Sequence, residues 1–339
     1  MTTQPEGLDL QAVGAWLDRE VPGLLTGPLT ASLITGGKSN LTYRVSDGTT
    51  EVVVRRPPLG HVLATAHDMG REARVMAALA GTAVPVPVVH GLCENPEVNG
   101  ATFYVMESVP GTPYSRAEQL EALGAERTRA IADRLVDTLV DLHAVDPTDV
   151  GLGDFGRPDG YLERQLRRWR KQLDASRSRD LPGIDALADR LDTLLPSHSD
   201  AAIVHGDYRL DNALVDEHDR ITAVLDWEMS TLGDPLTDVA LLLAYQQMSM
   251  ADGAAAVTDA PRAPGYPSGD EILERYATRS GRDLGAMGFH LGLAFFKLAV
   301  ILEGIHLRHS RGQTVGEGFD GIGDAVGVLV DAGLEATRV

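Results

Sequence analysis

Residues 204–228 read Val204-His205-Gly206-Asp207-Tyr208-Arg209-Leu210-Asp211-Asn212-Ala213-Leu214-Val215, a polar turn Asp216–Arg220, then Ile221-Thr222-Ala223-Val224-Leu225-Asp226-Trp227-Glu228. Two short apolar pieces, Asn212–Val215 and Ile221–Leu225, flank the turn, a pattern that predicts a β-hairpin. Asp207 precedes the first strand and Asp226 follows the second. Closing the hairpin therefore brings both carboxylates to one end of a ribbon, with Asn212 opening its first strand. Two carboxylates and an amide oxygen make an all-oxygen site. That chemistry suits Mg²⁺, which keeps several waters and takes few protein ligands plus phosphate oxygens.

Asp207-x4-Asn212 has the spacing of a protein-kinase catalytic loop. With His205-Gly206 before it and Asp226-Trp227-Glu228 after it, the stretch resembles the aminoglycoside phosphotransferase and choline kinase-like family of small-molecule kinases. The longer run Leu225-Asp226-Trp227-Glu228-Met229-Ser230-Thr231-Leu232-Gly233-Asp234-Pro235-Leu236 narrows the resemblance. It is similar to the kinase-like domains attached or related to certain acyl-CoA dehydrogenases. The resemblance spans about residues 30–310 and implies an α+β, protein-kinase-like bilobal fold. The expected parts are an antiparallel-sheet nucleotide-binding lobe over 1–107, a hinge over 108–112, and a mainly helical lobe over 113–339 holding catalytic loop and substrate site.

The same resemblance implies transfer of the γ-phosphate of ATP or GTP to a hydroxyl group, with Mg²⁺ as the metal. Such a reaction is eased mainly by positioning and charge neutralisation. Asp207 would take the hydroxyl proton or orient the nucleophile. Asn212 and Asp226 would hold Mg²⁺, and Glu228 would reach a second metal through water. Arg209 matches a kinase catalytic-loop lysine and would neutralise the γ-phosphate.

Upstream, Leu10, Val13, Trp16 and Leu17 at helical spacing after Asp9 predict a capped helix over 10–20. Leu29–Ile34, Leu41–Val45 and Glu51–Arg55 read as three strands. Gly36-Gly37-Lys38-Ser39-Asn40 joins the first two, a glycine-rich turn whose backbone N–H groups can approach phosphate closely. It is either that or a plain hairpin turn, and it lacks the Walker pattern. In a kinase-like lobe the third strand carries the cation that grips the α/β-phosphates, usually a lysine. Arg55 stands there, followed by Arg56, and strand alternation lets only one face the cleft. The resemblance makes Glu72, on a helix expected over 67–80, the partner of that cation. Alternating prolines make Val84–Val89 extended, and Thr102–Glu107 is the next strand. By resemblance the backbone of Glu107–Val109 would meet the adenine edge.

From Arg116 onward the pattern is helical. Ile131, Leu135, Leu139 and Leu142 mark one long helix ending near His143. Residues 161–171 form a basic helix with Arg164, Arg168 and Lys171 on one face, either solvated or facing an anionic ligand. Ile184–Leu195 is amphipathic. Asp234 and Pro235 read as N-cap and first helical residue, and Asp238 as a brace for the catalytic loop. Residues 251–267 read as a loop, Ser268-x-x-Glu271 as a capping box, and Gly281 as a helix stop. Lys297, Glu303 and His306 on a helix over 288–309 are either a substrate wall or polar pairs within the helical lobe.

Composition sets broad limits. The chain of 339 residues is 43% hydrophobic and 23% charged, ordinary for a globular protein. Its net charge of −19 argues against nucleic acid and anionic membrane as partners; a small-molecule hydroxyl substrate is what the resemblance implies. The single Cys93 goes with a reducing compartment. Met1–Asp9 gives no sign of a signal peptide, and Leu291–Leu302, interrupted by Lys297, reads as a buried helix rather than a membrane span. A cytoplasmic location is expected. Three readings of function follow: a kinase acting on a hydroxyacyl-CoA or related hydroxy acid, an aminoglycoside antibiotic kinase, and a catalytically inactive nucleotide-binding scaffold. The arginine at the strand-three position is the one feature favouring the last.

Overall fold

The computed structural model describes residues 5–34, 40–60, 67–250, 258–313 and 321–338. Gly36, Gly37 and Ser39, together with 251–257 of the expected loop, lie outside them. The chain divides into two units: 1–111 with 222–230, and 112–221 with 231–339.

The first unit is built on a five-stranded antiparallel sheet of order β1-β2-β3-β5-β4. Its strands are β1 (Thr30–Leu33), β2 (Leu41–Ser46), β3 (Glu51–Arg56), β4 (Val89–Cys93) and β5 (Phe103–Glu107). Strand alternation sorts the side chains by face. Tyr43, Val45, Val52, Val54, Phe103 and Val105 turn to one face and form a core with Val13, Trp16 and Leu17 of helix α1 (Leu10–Glu20). Trp16 meets Phe103 edge-on at 5.1 Å. Asp9 caps α1 by accepting from the Ala12 N–H. The opposite residues of β3 and β5, among them Arg55 and Tyr104, thereby take the other face. There lies helix α2 (Met69–Leu79), capped by Asp68, with the short α3 (Pro96–Asn99) following β4. Segment 222–230 joins this unit through the Thr222 hydroxyl, which donates to the Pro110 carbonyl, and the Val224 N–H, which donates to that of Pro85.

The second unit is mainly helical. Its helices are α4 (Ala117–Glu121), α5 (Ala125–Ala144), α6 (Tyr161–Ser176), α7 (Ile184–Thr193), α8 (Leu236–Ser249), α9 (Gly269–Ser280), α10 (Met287–Ser310) and α11 (Asp324–Ala336). Helix α10 is apolar almost all round because α6, α7, α8 and α11 surround it. It is long and apolar enough to cross a membrane, yet most of that stretch is buried inside the protein. Ser268 and Glu271 form the capping box of α9, and Gly281 ends it in the left-handed region at φ 67°.

Strands β6 (Ala202–Val204) and β9 (Thr231–Gly233) pair antiparallel, and β7 (Ala213–Val215) pairs with β8 (Ile221–Val224). The hairpin therefore forms, with its second strand ending at Val224 rather than Leu225. Asn212 does not open the first strand but ends a 3-10 turn, Leu210–Asn212. The reason is local: the Asn212 N–H bonds back to the Arg209 carbonyl. Pro235, rather than Asp234, occupies the N-cap position of α8. Asp234 still accepts from the Leu236 N–H.

Candidate active site

In the first unit the side chains on the α2 face of the sheet form one polar cluster. Glu72 projects from α2 and is 1% exposed. Its Oε2 lies 3.0 Å from Arg55 Nε and accepts from the Tyr104 hydroxyl at 3.0 Å. Its Oε1 accepts from Asn40 Nδ2 at 3.2 Å. The same Asn40 nitrogen reaches Glu228 Oε2 at 3.1 Å. Arg55 also donates from Nη2 to Asp226 Oδ1. Five of the residues singled out in the sequence thus meet here: Asn40, Arg55, Glu72, Asp226 and Glu228.

Arg56 points the opposite way, as strand alternation demands. It donates to the carbonyls of Gly7 at 2.5 Å and Asn99 at 2.8 Å, pinning the N-terminal segment. Arg55 is therefore the arginine of this cluster. Glu107 bonds instead to Val88 through both its N–H and its carboxylate, and Val109 is half-buried just beyond β5.

Burial pushes the Glu72 carboxyl up to about 7, with the Arg55 charge pulling against it and Asp226 and Glu228 adding to the rise. Burial also opposes the charge of Arg55, but Tyr104, Glu72 and Asp226 outweigh it and hold the guanidinium firmly protonated. Asp226 sits in the left-handed region, φ 66° and ψ 57°, uncommon outside glycine though tolerated best by Asp and Asn. The kink turns the chain from β8 into the 3-10 turn Trp227–Met229. There the buried Trp227 indole donates to the Val224 carbonyl at 2.9 Å.

In the second unit the loop after β6 is held by a buried carboxylate. Asp238, 0% exposed, accepts from the backbone N–H groups of His205 at 2.6 Å and Gly206 at 2.8 Å. His143 Nε2 lies 3.3 Å from it, while His143 Nδ1 meets the Tyr276 hydroxyl at 2.8 Å. Burial opposes the Asp238 charge, yet His143, His205 and the Gly206 N–H hold its carboxyl below the usual value. Burial lowers His143. Gly206 adopts φ 85°, a conformation costly for a residue with a Cβ. Lys297 of α10 donates to the Gly206 carbonyl at 2.9 Å, its ammonium 5.7 Å from the Trp169 ring centre.

This bracing presents Asp207. Asn212 Nδ2 donates to the Asp207 carbonyl at 2.9 Å and to its Oδ2 at 3.2 Å. Arg209 Nε stands 3.6 Å from the same oxygen, and Arg209 Nη2 pairs with Asp211 at 3.0 Å. Tyr245 of α8 donates to Asp207 Oδ1 at 2.8 Å, and the Arg209 guanidinium lies over its ring at 4.9 Å. Burial, then the Asp207 charge, raise the Tyr245 phenol well above its ordinary value, so it stays a donor.

The basic helix is spent unevenly. Arg164 donates to the carbonyls of Arg157 and Asp159, and Arg170 pairs with Asp189 and Asp192. Arg168 lies over the Trp169 ring at 5.3 Å. Glu303 accepts from Ser178 and Arg179. Lys297 and Glu303 are therefore polar pairs within the helical unit.

Tyr104 and Tyr245 are the cluster members that motif reading leaves without a role. Tyr104 had one available signal: it stands opposite Arg55 once the β3–β5 register is known. Tyr245 has no local signal at all.

As a fit for Mg²⁺, Asn212, Asp226 and Glu228 offer oxygen donors only. Asn212 gives its nitrogen to Asp207, which directs its amide oxygen elsewhere and leaves it an acceptor. Among the described residues no three His, Cys, Asp or Glu side chains gather as a ready metal cage.

The matching family model, described as "Phosphotransferase enzyme family", covers residues 30–277. The chain belongs to that family, and its antiparallel sheet with a helical C-terminal part is the protein-kinase-like fold of aminoglycoside phosphotransferases. Among individual proteins, it is 36% identical over 305 residues to acyl-CoA dehydrogenase family member 10 of Mus musculus, covering 88% of this chain and 28% of the relative. It is 33% identical over 341 residues to acyl-CoA dehydrogenase family member 11 of Rattus norvegicus, covering 97% and 43%. The chain thus spans less than half the length of either relative. A candidate aminoglycoside phosphotransferase of known crystal structure from Ralstonia eutropha superposes with a TM-score of 0.83 at 33% identity, covering 97% of this chain and 98% of that one.

Proposed function

We propose that this protein is a Mg²⁺-dependent small-molecule kinase that moves the γ-phosphate of ATP or GTP to a hydroxyl group. The observation carrying the reading is the Asp207 carboxylate, oriented through both oxygens and partly exposed, on a loop braced by a buried Asp238. Asp207 receives the hydroxyl proton as the oxygen attacks phosphorus. Arg209, held beside it, balances charge on the transferring group. Arg55, kept cationic and oriented by Glu72, grips the α/β-phosphates. Asn212 and Asp226 are the residues to hold Mg²⁺, with Glu228 for a second ion. When bound, the metal neutralises phosphate charge. Residues 36–40 with Glu107 and Val109 complete the nucleotide contacts, with 1–107 as nucleotide lobe, 108–112 as hinge and 113–339 as catalytic and substrate lobe. A cytoplasmic location, where nucleoside triphosphates are abundant, accompanies this reading.

For the acceptor we favour a hydroxyacyl-CoA or related hydroxy acid. The support is the likeness to the acyl-CoA dehydrogenase family members and the exposed guanidinium of Arg168 on the basic helix, over the Trp169 ring. The second reading, an aminoglycoside kinase, is favoured by the Ralstonia neighbour's description. Purified protein with Mg²⁺ and ATP should consume nucleotide with one class in a panel of hydroxyacyl-CoAs and aminoglycosides. Consumption with aminoglycosides alone would exchange the two acceptors. Nucleotide binding without transfer to any hydroxyl would favour the inactive scaffold.

A further inference from the structure

Tyr245 touches both Asp207 and Arg209. Its hydroxyl donates to Asp207 Oδ1 at 2.8 Å, and its ring lies under the Arg209 guanidinium at 4.9 Å. Asn212 holds the opposite carboxylate oxygen at 3.2 Å. A carboxylate clamped through one oxygen still swings about its Cβ–Cγ bond, whereas donors on both oxygens fix the plane of the group. Each oxygen keeps a lone pair for an incoming proton. Arg209 gains a shelf as well, since a planar cation over an aromatic face loses less freedom than one in solvent.

We infer that Tyr245 is a positioning residue that holds the Asp207 carboxylate and the Arg209 guanidinium in one fixed relation. The inference rests on the phosphotransferase reading for its catalytic consequence, but not for the hydrogen bond itself. The hydroxyl and the ring do separable work. Tyr245→Phe keeps the shelf and removes the donor, while Tyr245→Leu removes both.

The test uses the full chain with Mg²⁺ and ATP, following phosphoryl transfer to water and to any active acceptor. Tyr245→Phe should lower kcat roughly ten- to hundredfold, the scale of a hydrogen bond to a charged group, with KM for ATP within about twofold. Tyr245→Leu should fall further. Hydrogen–deuterium exchange over residues 205–212 should quicken in Tyr245→Phe. In an Asp207→Ala background, where the hydroxyl has lost its acceptor, the same substitution should leave exchange unchanged. An unchanged kcat, or a loss carried wholly by KM, overturns the catalytic consequence. Equal effects of Tyr245→Phe on exchange in both backgrounds, or none in either, overturn the tie to Asp207. Should the unsubstituted protein transfer phosphate to nothing, the phosphotransferase reading is what fails. The two-background exchange comparison then still decides whether Tyr245 holds Asp207.

Discussion

Two buried carboxylates organise the two units, and their surroundings have pushed them in opposite directions. Glu72, in the sheet unit, is raised by burial to about 7 although Arg55 lies 3.0 Å away. Asp238, in the helical unit, is held below the ordinary carboxyl value although it is as fully buried. The difference lies in what surrounds each charge. Asp238 accepts two backbone N–H groups, whose positions are set by the loop itself, and lies beside His143. Glu72 shares the Arg55 cation with Asp226, and Glu228 approaches through Asn40. A carboxylate met by fixed backbone dipoles is stabilised by the fold alone. One sharing a cation with other carboxylates is short of positive charge. The first arrangement suits a brace. The second suits a place where further cations are to arrive.

That contrast can be broken by experiment, beginning with the largest expected effect. Asp207→Ala should lower phosphoryl transfer by about 10²–10⁴-fold, the usual worth of a general base. Nucleotide affinity, measured by calorimetry, should be nearly unchanged, because the sheet-unit cluster is intact. A matching loss of affinity would show that the two regions do not divide the work. Arg55→Ala should act the other way. It strips Glu72 of its cation and should cost about 3 kcal/mol of stability, as breaking a buried pair does, and nucleotide affinity should fall with it. Thermal melts and the same calorimetry check both parts.

Asp238→Asn should be milder, about 2 kcal/mol, because the amide oxygen still accepts while its NH₂ faces a donor. Transfer should fall with little change in nucleotide affinity. The smallest effect is a slope with pH. Glu72 is raised in the folded state, so its contribution is fully present below the ordinary carboxyl value and is lost as pH rises through about 7. Asp238 is lowered, so its contribution is present above the ordinary value and is lost as pH falls through the folded one. Melting temperatures of the unsubstituted protein minus Glu72→Gln should therefore decline from pH 5 to 8. Those minus Asp238→Asn should decline toward acid. Parallel curves would erase the distinction.

Much of this was readable in the chain before any coordinates. Asp207, Asn212 and Asp226 announce themselves because their type and spacing answer one chemical need. The capping box Ser268–Glu271 and the cap Asp9 involve residues a few positions apart, and local spacing is what sequence patterns record. The misplacement of Asn212 has the same root. Its three-residue 3-10 turn is shorter than any period that apolar residues can mark.

The amino-acid sequence by itself determined the sheet unit followed by the helical one, the family, and the oxygen-bearing residues of the candidate site. Only the tertiary structure chose Arg55 over Arg56, because the choice depends on which face of β3 packs on α1. Only it revealed Tyr104 on Glu72, Tyr245 on Asp207 and Lys297 on Gly206, pairs separated by 32, 38 and 91 positions. A hydrogen bond needs two atoms within about 3 Å. Where the chain between them is long, that proximity is set by packing rather than by spacing.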